Sequence, residues 1–295
     1  MRALKKNWQN LDYRSPDIQP EKFYLTRCLI LSLVISSLFS CKDNVKTYLF
    51  LSHTRTDSNP KIDSIAEKID YSKFDMLWLG GDLAWYTSAD DATMEYVDNI
   101  FDLSNENTLW AIGNHDCFSA ERIQRFTKRP NSYGYFKNGI TYLVLNTQDS
   151  ASNINAEQLE LLTKITDTIK YSSHLILLHH KLIWMYGNPD LEVLVDSVSN
   201  VSLGTSSHSL NPNNFYQEAY PKLIDIANKW ITVLCIGGDI GIKTNEFEHT
   251  TIEGITFLAS GINLGDKNNQ VLLFEHDIKS RTLTWKYRLI NSILD

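Results

Sequence analysis

The sequence predicts an α/β fold built on buried sheets. Stretches of strand character alternate with stretches of helical period along residues 47–239. Several strands are continuous apolar runs, as expected where a sheet is covered on both faces. Five of these strands also stop abruptly in polar residues.

Taken in order, TYLFLS (47–52) reads as the first buried strand. Ile62, Ile65, Ala66 and Ile69 then recur at helical spacing after Asn59-Pro60, which predicts a helix. FDMLWLGGD (74–82) is a strand running into a glycine turn, and Met94, Val97, Ile100 and Phe101 mark a second helix. TLWAIGNHD is again a strand and its tip. GITYLVLNT (139–147) is a strand, Leu159, Leu162, Ile165 and Ile169 form a helix, and HLILLHH (174–180) is a strand. The polar stretch 198–214 is long enough to be either disordered or a lid. YPKLIDIANKW is helical and ITVLCIGGD (231–239) a strand, after which GITFLASG, QVLLFEH and TLTWKYRLI make the tail all-β.

Composition sets the broad class. The 295 residues carry 28 Lys and Arg against 35 Asp and Glu, a formal charge of -7, with no basic block. Nucleic acid is therefore excluded as an expected partner. Near the start, Lys22 and Arg27 precede an apolar run from Leu29 to Phe39, too short to span a bilayer comfortably and right for a leader core. A buried strand or helix is the other reading of such a run. The residues after it, Leu38-Phe39-Ser40-Cys41, resemble a bacterial lipobox, which implies cleavage before Cys41 and acylation of its thiol. The expectation is a signal peptide over 1–40, with a natural start nearer Glu21, and a lipid-anchored envelope protein over 41–295, periplasmic or surface-facing. The mature chain would keep 22 basic and 32 acidic residues, a net charge of -10. Its remaining cysteines, Cys117 and Cys235, are too few for a disulfide framework.

The polar tips are LSHTR (51–55), GGD (80–82), GNHD (113–116), LHH (178–180) and IGGD (236–239). Each alone is an ordinary strand boundary. In an open α/β sheet, however, ligands bind beyond the carboxyl ends of the strands, so five tips converge on one place.

The order of these tips resembles that of the calcineurin-like metallophosphoesterases, over roughly residues 46–290. That family strings an Asp-x-His, a Gly-Asp, a Gly-Asn-His-Asp/Glu, a lone His and a Gly-His-x-His into a two-metal site. The intervals here, about 30, 30, 65 and 60 residues, suit the pattern. The resemblance implies a four-layer α/β/β/α metallophosphoesterase sandwich and a small-molecule phosphate ester as substrate. It implies that Asp82 bridges metals, that Asn114 and His179 ligate one, that His115 meets the phosphate or leaving oxygen, and that Asp116 orients His115. Of the histidine pair, His179 falls at the family's ligand position, which leaves His180 a supporting or structural role.

Two motifs depart from the pattern. The first reads Ser52-His53-Thr54-Arg55 and the last Gly237-Gly238-Asp239-Ile240. The losses fall on one metal, because Arg55 stays protonated and cannot ligate a cation, and Ile240 has no donor. For the other metal Asp82, Asn114 and His179 remain, and Asp239 lies one residue from the last ligand's place. The expectation is one divalent metal, Mn, Fe or Zn, with Arg55 binding phosphate where the second cation stood. His53 either ligates the retained metal or bonds the phosphate. The expected function is metal-dependent hydrolysis of a phosphate ester, and the alternative is a non-catalytic phosphate- or glycan-binding lipoprotein on the same fold. Trp85, Tyr86, Trp184 and Tyr186 either pack in the core or stack on a substrate ring. His208 is expected to be a solvated loop residue.

Overall fold

Side chains alternate sides along every central strand, and this parity builds the layers. In β1 (Val45–Leu51), Tyr48 and Phe50 enter one buried cluster while Leu49 and Leu51 enter another. The same split divides Met76 and Trp78 from Leu77 and Leu79 in β2 (Met76–Leu79). In β6 (His174–His179), Ile176 and Leu178 face the shared cluster, whereas Leu175 and Leu177 face away. The molecule is a computed structural model that describes residues 44–148 and 151–294.

Two sheets share the Tyr48, Phe50, Trp78 and Ile176 cluster between them. One has five strands in the order β11-β10-β1-β2-β3, with β3 at Thr108–Trp110, β10 at Gln270–Asp277 and β11 at Thr282–Leu289. The other has six in the order β4-β5-β6-β7-β9-β8. Its strands are β4 (Tyr133–Lys137), β5 (Ile140–Val144), β7 (Thr232–Gly237), β8 (Glu246–Thr250) and β9 (Ile255–Ser260), besides β6. β1, β2 and β3 run parallel, as do β5, β6, β7 and β9, so their carboxyl ends share a side within each sheet.

Helices cover the outer faces. α1 (Asp91–Phe101) and α2 (Ala120–Thr127) lie on the first sheet, where Met94, Val97, Phe101 and Ile123 join Leu49 and Leu79. α3 (Ala156–Thr168), the short α4 (Pro189–Glu192) and α5 (Val195–Val198), and α6 (Tyr220–Ala227) lie on the second. The expected four-layer α/β/β/α arrangement is thus found. Asp90, Ser119 and Asn155 cap α1, α2 and α3 through their side chains.

One expectation changes and two open alternatives are decided. The helix expected over 62–69 is a single 3₁₀ turn, Ala66–Lys68, because Ile62 and Asp63 bond back to the strand-end segment at Arg55 and Thr54. The 198–214 stretch is folded: Leu203 bridges Leu210, Leu210 is buried, and the buried Lys181 donates from Nζ to the Ser209 carbonyl at 2.9 Å. Trp184 is core, stacked on Phe257 at 5.0 Å, and so does not face a ligand. The leader and lipobox lie outside the described residues.

Candidate active site

β1 and β2 deliver their tips side by side. His53 N donates to the Gly81 carbonyl and Arg55 N to that of Asp82. The tips pack closely both within the first sheet and across the two sheets, at positions only glycine fits. A Cβ on Gly113 would strike Asp82, and one on Gly238 would strike the Gly80 carbonyl. Ser52, on the inter-sheet face, donates from Oγ to the Gly238 carbonyl at 2.7 Å. His53 and Asp82 both hold left-handed backbone, φ 57° and 54°, so non-glycine strain collects at this point.

Asp82 is the centre, and its two oxygens face different company. Oδ1 accepts from the His115 amide at 2.9 Å and lies 3.5 Å from His180 Nε2. Oδ2 lies 3.6 Å from Arg55 Nε and 3.9 Å from His53 Nε2. Burial opposes ionisation of Asp82, but the imidazoles of His180, His53 and His115 and the His115 amide hold its pKa below the ordinary value.

On the Oδ1 side, His180 Nε2 is 3.2 Å from Asn114 Oδ1 and 3.9 Å from Asp239 Oδ1. His180 Nδ1 sits 2.7 Å from the Gly80 carbonyl. A carbonyl only accepts, so Nδ1 carries a proton there, which leaves Nε2 as the nitrogen a cation would take, the orientation a metal-binding imidazole needs. Burial would lower the pKa of His180, yet Asp82 and Asp239 raise it. Asp239 is buried and its Oδ2 has no hydrogen-bond partner; burial pushes its pKa up.

His180 thus takes the position expected of His179. The parity of β6 decides it: Ile176, Leu178 and His180 share the inter-sheet face, and His179 turns outward. His179 bonds through Nδ1 to the Lys181 carbonyl at 2.8 Å, lies against Leu182 and Gly237, and has an orphaned Nε2. Burial brings its pKa down to about 4. It is a structural histidine here.

The role expected of Asp116 also changes. Its carboxylate accepts from the amides of Asp82 (2.7 Å), Gly113 (2.8 Å) and Leu83 (3.0 Å) and from the Thr87 hydroxyl. It ties together the tips of β2 and β3. Burial and the neighbouring Asp82 raise its pKa. His115 is oriented instead by the Trp85 carbonyl, 2.9 Å from Nδ1, with the Trp85 ring 4.7 Å away.

On the Oδ2 side, the Arg55 guanidinium stacks on Trp85 at 4.5 Å, and its Nε is buried without a hydrogen-bond partner. His53 Nδ1 meets the Ile262 carbonyl at 3.0 Å, and burial brings its pKa down to about 4, so it stays neutral. His53 therefore belongs with Arg55 and not with the ligands around Oδ1. Ile240 is sealed in the helix-side core. Two residues that the sequence undervalued lie close by. His208 Nδ1 is 3.3 Å from Asn114 Nδ2, with its ring 6.1 Å from that of His115, and Lys181 anchors the loop carrying it.

Donor atoms of the kind a divalent cation takes gather on the Oδ1 side. Ligand atoms bound to one metal at about 2.0–2.2 Å lie roughly 3.0–3.6 Å apart. His180 Nε2 lies within that spacing of both Asp82 Oδ1 (3.5 Å) and Asn114 Oδ1 (3.2 Å), and Asp239 Oδ1 at 3.9 Å is slightly beyond it. No group of three His, Cys, Asp or Glu side chains among the described residues is placed to hold a metal ion by itself. The Oδ2 side fits no cation, because a guanidinium is already there.

The sequence model for calcineurin-like phosphoesterases matches residues 52–286. Among solved structures, a dimetal phosphatase from Danio rerio is similar at a TM-score of 0.55 and 10% identity, over 83% of this chain and 96% of that one. A 5'-nucleotidase precursor from Thermus thermophilus gives 0.44 and 12%, over 83% of this chain and 54% of its own. No curated protein matches the chain in sequence. With four fifths of its length matched by one family, and with that family's fold, the chain belongs to the calcineurin-like phosphoesterases.

Proposed function

We propose that the chain hydrolyses a phosphate ester with one divalent cation, Mn, Fe or Zn, held by Asp82, Asn114, His180 and Asp239. The observation that carries this is the division of Asp82: a ligand set faces Oδ1, and a fixed guanidinium faces Oδ2. When bound, the cation supplies Lewis acidity toward a phosphoryl oxygen and acidifies water. Arg55, held flat by Trp85, offers its outer N–H groups to the phosphoryl oxygens in place of a second cation. His115, steered by the Trp85 carbonyl, delivers a proton to the leaving oxygen. Tyr86 and Phe118, exposed and edge to face at 5.0 Å, form a wall beside Trp85 for the ester group.

The test is turnover of a panel of phosphate mono- and diesters with added Mn, Fe or Zn. Metal-dependent hydrolysis supports the reading. Phosphate binding without turnover on any ester would refute it in favour of the non-catalytic binding lipoprotein. We also assign the chain to the bacterial envelope, anchored through Cys41, on the strength of LFSC after a basic-flanked apolar run. Cys41→Ser should block acylation and cleavage, leaving the chain at its precursor size; unchanged membrane fractionation at the mature size would refute the anchor.

A further inference from the structure

We infer that the end of the domain opposite the active site is a bilayer-docking face for anionic phospholipid, a reading that rests on the Cys41 anchor. Val45 follows Cys41 by four residues, a reach of at most about 14 Å. A lipid on Cys41 would hold the start of β1 within that reach of the bilayer, and Val45 there pairs with Asp277, which pairs with Thr282 in the next strand. Arg281, one residue before Thr282, donates to the Tyr171 carbonyl at 3.2 Å. Tyr171 precedes β6, and the amino ends of β5, β6 and β7 are joined there through Ser173 to Gly139 and Thr232 to Ser173.

This end carries side chains that packing does not explain. Tyr171 is 74% exposed, Trp230, just before β7, 98%, and Ile252, just before β9, 101%. Trp230 stands in left-handed backbone at φ 63°, a conformation rare for a bulky residue. Beside it opens a recess of about 650 Å³ lined by Lys170, Lys229, Arg281 and His174, with Asp167 as its one acid. Glu253, next to Ile252, is engaged by the Tyr220 hydroxyl at 2.8 Å. Within the recess three cations face one carboxylate, against the acidic charge of the whole chain, although Asp277 and Glu253 lie elsewhere on the same end.

The chemistry suits a membrane interface. Trp and Tyr settle at headgroup level, Lys and Arg pair with anionic headgroups, and a lipid plus a basic or aromatic patch makes the two-part signal that stable anchoring uses. Trp230 stands among the cations, while Tyr171 also borders an apolar recess of about 450 Å³ with Phe136 and Ile165 that acyl chains can enter. No helix among the described residues is long and apolar enough to cross a membrane, so contact at this face is interfacial. The six-residue strands β6 and β7 then hold the active site about 20 Å further from the bilayer, open to soluble esters.

The test uses the full chain in vesicles of phosphatidylglycerol and phosphatidylcholine, some of it brominated near the headgroup. The emission lost in Trp230→Phe reports Trp230, and that lost in Trp85→Phe reports the catalytic end. The expected result is quenching of most of the Trp230 component and none of the Trp85 component, weakened when Lys170, Lys229 and Arg281 are all replaced by Gln. A membrane-bound chain whose Trp230 is not quenched overturns the face while leaving the anchor intact. A soluble chain whose Trp230 is still quenched by added vesicles removes the anchor and keeps the face. A soluble chain without quenching overturns both.

Discussion

Arg55→Ala is the perturbation that separates a modified active site from a decayed one. The guanidinium lies 3.6 Å from Asp82 Oδ2. Two unit charges at that distance attract by roughly 5 kcal/mol at an effective dielectric of about 20, before any desolvation. Arg55 is mostly buried and its Nε is unpartnered, so desolvation offsets much of this attraction and the net effect on folding is small. The catalytic effect is larger, because a fixed charge aimed at a developing phosphoryl charge is worth about 3–4 kcal/mol, or ~10²–10³ in rate. Arg55→Ala should therefore lower kcat/KM by about two to three orders of magnitude, equally for aryl and alkyl esters, with bound metal unchanged. Steady-state kinetics beside elemental analysis of the same preparation reads both quantities. An unchanged kcat/KM, or loss of the metal together with activity, would refute the assignment of Arg55 to phosphate.

Three further outcomes follow from particular contacts. His115→Ala should lower kcat by ~10²–10⁴ on alkyl esters and much less on activated aryl esters, whose leaving groups need no proton; an equal loss on both would remove the acid role. Asp116→Ala leaves three amides and a hydroxyl unpaired and should cost about 3–5 kcal/mol, seen as a Tm lower by roughly 10 °C; a change in the pH profile alone, without lost stability, would argue that it acts on His115 after all. His179 is buried with a pKa of about 4 against 6.5 in the unfolded chain, so unfolding takes up a proton between those values. Its contribution is complete above pH 6.5 and is lost as pH falls toward 4, by on the order of 3 kcal/mol. Urea midpoints for wild type and His179→Gln should converge across that window, and parallel curves would show that His179 does not titrate as inferred.

Much of this was legible in the sequence for a physical reason. Central strands such as HLILL are buried on both faces and announce themselves as apolar runs. The edge strands β4 and β8 did not, because Tyr133–Lys137 and Glu246–Thr250 alternate half-buried and exposed positions, and the polar face breaks the run. The helix expected over 62–69 failed because backbone bonds from Ile62 and Asp63 to the β1 tip outcompeted a helical period. In the site, Asp82, Asn114 and Asp239 fell together as the tip order implied. The exchange of His179 for His180 turned on which face of β6 looks inward. Ile176 and Leu178 fix that parity once the second sheet is in place, but a run apolar at every position gives no sign of it. Asp116 and Lys181 were misjudged or passed over because their partners are backbone groups, which leave no mark in a pattern of side chains.

Metal stoichiometry tests most directly whether a single cation is held by His180 beside a fixed guanidinium. Purified protein loaded with Mn, Fe or Zn should carry about one tightly bound ion per chain by elemental analysis. His180→Ala should abolish that binding, and His179→Ala should retain it in whatever fraction remains folded. Two tightly bound ions per wild-type chain, or binding lost with His179 and kept without His180, would contradict the account.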